Sequence, residues 1–268
     1  SSFLWSTTLA IGDIDNNGLM DFAVGNSNTN VTPQDKFYLN QGNDSYIEMG
    51  IGSTSNMYNT ADIEIADFNH DGKLDILSAG SHPDIKLYLN QGSPNYLQDS
   101  SAIQITTSHS SFTTSSMASA DLNNDGYLDL ILGYKWLDIF LNNKTSDPFT
   151  GVTPIRINLP TPLVIESLDT GDIDNDGDLD LILGLDGTLG TLQGENLLFV
   201  NNGSSIPFSD AGYSLIGTNI FKSNTFENFS GLNVINNSGI DMSELLIPDL
   251  NFNIEKDNYM ELLTHEGY

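Results

Sequence analysis

One nine-residue pattern occurs four times in this chain and governs what the chain can fold into. Residues 11–25 read IGDIDNNGLMDFAVG, 65–79 read IADFNHDGKLDILSA, 119–133 read SADLNNDGYLDLILG and 170–184 read TGDIDNDGDLDLILG. The leading aspartates Asp13, Asp67, Asp121 and Asp172 stand 54, 54 and 51 residues apart. A near-constant period of this size marks a repeat architecture, in which each repeat is one supersecondary unit.

Every unit carries a second element: FYLNQG at 37–42, LYLNQG at 87–92, IFLNNK at 139–144 and LFVNNG at 198–203. An aromatic residue follows it, Tyr46, Tyr96, Phe149 and Phe208 in turn. The unit therefore reads as an apolar strand, an Asp-rich turn, a second apolar strand, a third strand ending in Asn, and a fourth strand led by the aromatic. The repeat boundaries fall at about 5–56, 57–110, 111–161 and 162–217, with a degenerate fifth unit at 218–268. In that fifth unit Phe252 lies 53 residues after Phe199 and Tyr259 lies 51 after Phe208. The stretch 234–242 stands where the Asp-rich turn belongs, but Val234 and Met242 replace its first and last aspartates.

No helical periodicity accompanies these elements. Short continuous apolar runs such as LDLILG are rich in strand formers and read as strands buried on both faces. Four strands repeated every ~50 residues, each sheet packed between two neighbours, predict an all-β propeller of four-stranded blades, with an open solenoid as the structural alternative. Five units give either a five-bladed ring or part of a larger one, and the whole of 1–268 reads as a single domain.

The repeated turn has the chemistry of a calcium loop. Oxygen-bearing side chains stand at positions 1, 3, 5 and 9, a glycine at 6 permits a sharp turn, and residue 7 offers its carbonyl. Ca²⁺ takes 6–8 hard oxygen ligands at ~2.3–2.6 Å, which this spacing supplies. The first loop uses Asp13, Asp15, Asn17, the Leu19 carbonyl and Asp21. The second uses Asp67, Asn69, Asp71, the Lys73 carbonyl and Asp75. The third uses Asp121, Asn123, Asp125, the Tyr127 carbonyl and Asp129. The fourth uses Asp172, Asp174, Asp176, the Asp178 carbonyl and Asp180. An EF-hand would need an acid at position 12, where this chain has Val24, Ser78, Leu132 and Leu183. The ninth-position aspartate leads straight into a strand, so the loop is a β-hairpin turn. Asn, Asp and Gly also make metal-free turns, but carboxylates packed so closely repel unless a cation lies between them. Four bound Ca²⁺ are expected, and none at 234–242.

These loops and the LYLNQG-type strand resemble the calcium-binding FG-GAP/VCBS repeats of integrin α-subunits and of many secreted microbial proteins. The resemblance covers about residues 5–210. It implies a β-propeller, usually of seven blades, with calcium in a hairpin of each blade and an extracellular or cell-surface setting.

Charge narrows the partners. Acids outnumber bases 36 to 8, for a net charge of −28. That excludes a nucleic-acid groove or an anionic membrane surface, both of which need Lys/Arg clusters. The absence of cysteine removes disulfides, thiolate zinc sites and cysteine nucleophiles. No apolar run approaches the ~18 residues of a membrane helix. No signal peptide is visible, which fits a mature form or an excised piece.

No nucleophile motif, metalloprotease motif or phosphate loop occurs. The four histidines have no partner motif, and His70 lies inside a calcium loop at a non-ligand position. No catalytic residue is assigned. Tyr134 and Trp136 read either as core packing or as a sugar-stacking platform on the face opposite the calcium turns. Sequons at Asn30, Asn43, Asn143, Asn202, Asn228 and Asn236 are candidate glycosylation sites. The sequence thus predicts a non-catalytic, calcium-stabilised extracellular propeller for adhesion to, or recognition of, a glycan or a protein. Two alternatives are a self-associating subunit of a surface layer or filament, and a carbohydrate-active enzyme with a carboxylate pair hidden among the remaining acids.

Overall fold

The computed structural model describes residues 5–27, 35–51, 60–80, 85–98, 102–105, 114–157, 159, 164–185, 195–208, 213–217, 250–254 and 260–264. Among these residues every regular element is a strand. The first sheet joins β1 (Trp5–Gly12), β2 (Asp21–Ser27), β3 (Lys36–Asn40) and β4 (Tyr46–Gly50). The second joins β5 (Thr60–Ala66), β6 (Asp75–Gly80), β7 (Ile85–Tyr88) and β8 (Ala102–Ile105). The third joins β9 (Ser116–Ala120), β10 (Asp129–Gly133), β11 (Leu137–Phe140) and β12 (Ile155–Ile157). The fourth joins β13 (Ile165–Gly171), β14 (Asp180–Leu185), β15 (Glu195–Phe199) and β16 (Tyr213–Gly217). Within each sheet the strands lie in chain order, the meander predicted for one repeat. The fifth unit contributes the antiparallel pair β17 (Leu250–Ile254) and β18 (Met260–Thr264), at the places expected of its third and fourth strands. Its degenerate turn, 234–242, lies outside the described residues.

The chain divides into two compact units, Ser1–Leu168 and Asp169–Tyr268. In the first unit three sheets stack face to face. Alternate residues of a strand point to opposite faces, so the neighbours Ile76 and Leu77 on β6 enter different cores. Ile76 joins Ile14, Ala23, Phe37, Leu39, Ile51, Ile63, Tyr88 and Leu97 between the first and second sheets. Leu77 joins Phe68, Leu87, Leu89, Ile105, Met117, Leu130, Leu132, Phe140 and Phe149 between the second and third. This two-sided packing buries every residue of β6 and of β10, as their unbroken apolar runs predict. Close sheet approach depends on glycine at particular places. A Cβ on Gly25 would lie 2.5 Å from Thr8 Cγ2 and 2.7 Å from Thr60 Cγ2.

β2 departs from the expectation of two buried faces, since its burial alternates along the strand. One face of the first sheet packs on the second sheet; the other carries Leu9, Ile11 and Met20 at 67%, 71% and 64% exposure. On that open face Phe22 stacks on Tyr38 at 4.7 Å and meets Tyr46 edge-on at 5.5 Å.

The predicted fourth strand also needs correction. Only Tyr46 leads its strand. Tyr96, Phe149 and Phe208 lie in the links before β8, β12 and β16. Their rings pack edge-on against Phe37, Phe68 and Phe199 at 6.1, 6.1 and 6.2 Å. Each ring thus plugs a core, and the β pairing resumes several residues later.

Two further acids are buried at points unrelated to the loops. Asp35 accepts hydrogen bonds from the Asn26 amide and from the hydroxyls of Thr60 and Ser78, at 2.8, 2.7 and 3.0 Å, tying the first sheet to the second. Burial pushes its carboxyl above the ordinary carboxylate range, and the three donors oppose that rise. Asp138, fully buried on β11, is held by the Arg156 guanidinium in a two-pronged pair. Such paired, hydrogen-bonded geometry is what allows a charge to be buried at all.

Candidate metal centres

Each Asp-rich segment forms the turn between the first and second strands of its sheet, as the spacing predicts. The backbone is the same four times. The fourth residue is left-handed in every copy, with φ of 56°, 57°, 55° and 59° at Asn16, His70, Asn124 and Asn175. The sixth is glycine, with φ of 87°, 84°, 90° and 95° at Gly18, Gly72, Gly126 and Gly177. That region penalises side chains with a Cβ, so glycine is the natural occupant.

The side chains at positions 1, 3 and 5 organise the turn from inside. The amide of residue 5 donates to the first aspartate at 3.0, 3.0, 2.9 and 3.1 Å in the four loops. The glycine amide donates to the other oxygen of that carboxylate at 2.8, 2.9, 2.7 and 3.1 Å. Residue 5 in turn accepts from the amide of residue 7 at 2.7, 2.9, 3.0 and 3.0 Å.

The residues fit a calcium ion on two grounds. Oxygens bound to one Ca²⁺ at ~2.3–2.6 Å lie within about 5 Å of each other. Carboxylate oxygens of Asp13, Asp15 and Asp21 lie within 4.8 Å of one another, as do those of Asp172, Asp174 and Asp176. The electrostatics agree. Burial raises the carboxyls of Asp15 and Asp174 above their ordinary range, and neighbouring aspartates add to the rise. Burial, reinforced by Asp71 and Asp67, pushes Asp75 up to about 7. Burial, reinforced by Asp125 and Asp121, pushes Asp129 up to about 6. Carboxylates so crowded need either protons or a cation.

The middle two loops differ in two respects. Asn69 and Asn123 replace the carboxylate at position 3 with a neutral amide. A lysine meets the fifth-position aspartate in each: Lys73 at 2.8 Å from Asp71, and Lys144 at 3.1 Å from Asp125. Lys73 was expected to supply only its carbonyl. Its ammonium is a further charge at that site, and a metal ion there would compete with it.

The ninth-position aspartates also anchor the backbone. Asp21, Asp75, Asp129 and Asp180 are fully buried. One oxygen of each accepts from the amide of loop residue 2, at 2.7, 3.2, 3.1 and 2.8 Å from Ile14, Phe68, Leu122 and Ile173. The other accepts from the amide of the recurring asparagine, which ends its strand at Asn40 but lies two residues past it at Asn90, Asn142 and Asn201, at 2.7, 2.8, 2.8 and 2.9 Å. These asparagines were visible in the sequence as a recurring letter but not as part of the site. Their side-chain amides close the loop by donating to the carbonyl of residue 8: Met20, Leu74, Leu128 and Leu179.

The remaining candidates are scattered. Tyr134 and Trp136 flank a tight turn, with the Tyr134 amide donating to the Trp136 carbonyl at 3.2 Å. Both are half-buried. Trp136 packs against the core between the second and third sheets, and the Arg156 guanidinium lies 5.5 Å over its ring. Lys135 lies 5.3 Å over the ring of Tyr134. Asn43 and Asn202 are exposed in links after the third strand. Asn143 donates both amide hydrogens, to the carbonyls of Asp147 and Thr150 at 2.9 and 3.2 Å. Asn30, Asn228 and Asn236 lie outside the described residues.

A family model for the FG-GAP-like repeat matches this chain twice, over residues 13–78 and 67–132. Each match runs from the first aspartate of one loop into the second strand of the next sheet, so the loop-to-loop period is what the family shares with this chain. Among curated proteins none matches it. Over residues 13–132 the chain carries FG-GAP-like repeats.

Proposed function

We propose that this protein is a non-catalytic, calcium-stabilised propeller module that works outside the cell in adhesion or recognition. The observation that carries the reading is one turn geometry built four times, with carboxylates converging in its first and fourth copies. Calcium holds the loops, the loops hold the hairpins, and the sheets then present their other links to a glycan or a protein partner. The link at 134–137, between the second and third strands of its sheet, leaves the edge opposite the calcium turn and suits that display. In this reading Trp136 braces its turn through Arg156 rather than offering an open ring face.

Native mass spectrometry in millimolar calcium tests the metal half of the reading. Four Ca²⁺ per 29.2 kDa chain are expected, all lost on chelation. A spectrum without specific calcium adducts would end it. A second reading, a self-associating subunit of a surface layer, draws on the apolar open face of the first sheet. The same spectra separate the two, since a recognition module remains monomeric and a layer subunit gives dimers and higher species.

A further inference from the structure

The four loops are not independent turns, because each of the first two is tied to the next. The link begins with the recurring asparagines. Asn90 lies two residues past the third strand of the second sheet, and its backbone amide donates to Asp75 of its own loop at 2.8 Å. Its side-chain amide donates to the carbonyl of Ile14 in the neighbouring loop, also at 2.8 Å. Ile14 sits between Asp13 and Asp15, and its own amide donates to Asp21 at 2.7 Å. An unbroken chain of hydrogen bonds thus runs from the ninth aspartate of one loop to that of the next.

The step repeats. Asn142 donates from its backbone to Asp129 at 2.8 Å and from its side chain to the Phe68 carbonyl at 3.0 Å. Phe68 lies between Asp67 and Asn69, and its amide donates to Asp75. Both asparagines are buried, where water competes little and such networks are stiff. A second tie runs along the surface from the fourth loop position. Asn16 donates to the Gly72 carbonyl at 3.3 Å, and His70 stacks on Tyr127 at 4.4 Å.

We infer that the first three loops bind calcium cooperatively, with Asn90 and Asn142 transmitting order from one loop to the next. The inference rests on the calcium reading above. A metal ion in the second loop fixes Asp75, Asp75 fixes Asn90, and Asn90 holds the Ile14 carbonyl. The first loop then has less freedom to lose when its own ion arrives, so the second binding event costs less conformational entropy. Such coupling must be reciprocal.

The test is a calcium titration of the metal-free full chain by heteronuclear NMR. The amides of Gly18 and Gly72 report their own loops, since each donates to the first aspartate of its loop. Asp71→Asn weakens the second site without touching the Asn90 relay. It should raise the calcium concentration that half-saturates Gly18 about fivefold, the lower end of typical couplings. Asp15→Asn should raise the half-saturation of Gly72 by the same factor. In an Asn90→Ala background, the effect of Asp71→Asn on Gly18 should fall well below fivefold, to what the Asn16 tie to Gly72 alone carries. The titrations run in about 0.5 M KCl, where screening over ~4 Å removes direct charge effects between loops. If each substitution moved only its own loop, the coupling would be refuted and the calcium sites would stand. If neither glycine responded to calcium, the calcium reading itself would fall and the coupling with it. Should Asn90→Ala unfold, the reciprocal pair Asp71→Asn and Asp15→Asn decides the matter alone.

Discussion

Excess EDTA at neutral pH is expected to lower the melting temperature by roughly 10–20 °C. At ~1 mM calcium and a Kd near ~10⁻⁴ M, typical of extracellular modules, each site stabilises by ~1.4 kcal/mol, or ~6 kcal/mol for four. That compares with a total stability of about 5–15 kcal/mol for a folded domain. For a chain of this size one kcal/mol moves the midpoint by ~2–4 °C. The effect should also depend on pH. In the metal-free protein Asp75 is pushed up to about 7 and Asp129 up to about 6, from 3.8. A raised carboxyl contributes stability that is complete below its unfolded value and lost as pH rises through the folded one. The metal-free protein is therefore more stable near pH 5 than near pH 8. Calcium needs ionised carboxylates, so the loaded protein follows the opposite trend. The gap between the two melting curves should widen from pH 5 to pH 8. Superimposable curves with and without EDTA at pH 8 would show that calcium does not hold this fold.

Asp129→Ala should cost roughly 2–6 kcal/mol whether or not calcium is present. The carboxylate holds two backbone amides, those of Leu122 and Asn142, at 3.1 and 2.8 Å in a fully buried position. Its removal leaves both donors without their acceptor, at ~1–3 kcal/mol each. Asp125→Asn is the contrasting change. The amide oxygen can still accept from the Tyr127 amide, so the turn survives, while the charge facing the metal is lost. Its melting temperature in EDTA should equal or exceed that of the unaltered protein in EDTA, since a charge that crowds Asp129 is gone, and the deficit should emerge only in calcium. Chemical denaturation of both variants, with and without calcium, reads the difference. If Asp129→Ala matched the unaltered protein in EDTA, the ninth aspartate would be a ligand and nothing more.

The sequence displayed the sheets, their strand order and the loops because all three depend on local spacing. Asp13-x-Asp15-x-Asn17-Gly18 specifies one backbone path, and the structure repeats that path with φ angles that agree within about ten degrees across copies. Relations across sheets were not legible. Nothing in LYLNQG tells that Asn90 reaches Ile14, 76 positions back in the chain. Lys144 follows the third strand of its unit, and only folding brings it beside Asp125. The aromatics misled for a related reason. A ring five or six residues before a strand satisfies the same period as one that leads it, and the requirement to fill a core put Tyr96, Phe149 and Phe208 in the links. The apolar run of β2 likewise matched that of β10, although one of its faces lies open.

The glycine at the sixth loop position has a consequence for how this protein ages. Asn17-Gly18, Asp71-Gly72, Asp125-Gly126 and Asp176-Gly177 are the kind of peptide bond most prone to spontaneous isomerisation. In that reaction the glycine nitrogen loses its proton and attacks the side-chain carbonyl carbon of the preceding residue, expelling ammonia from Asn17 or water from the aspartates to close a cyclic imide, which water then reopens with an extra methylene in the backbone. In the folded loops this nitrogen already donates to the first aspartate, and the preceding side chain is held by the amide of residue 7. The turn therefore keeps the nucleophile away from its target for as long as the turn persists. Peptide mapping after prolonged storage should find isoaspartate at these four sites in metal-free samples and little in calcium-loaded ones; equal damage in both would show that the loop gives no shelter. Since the added methylene displaces every ligand beyond it by one bond, a single episode of metal loss would leave a covalent record that calcium cannot erase.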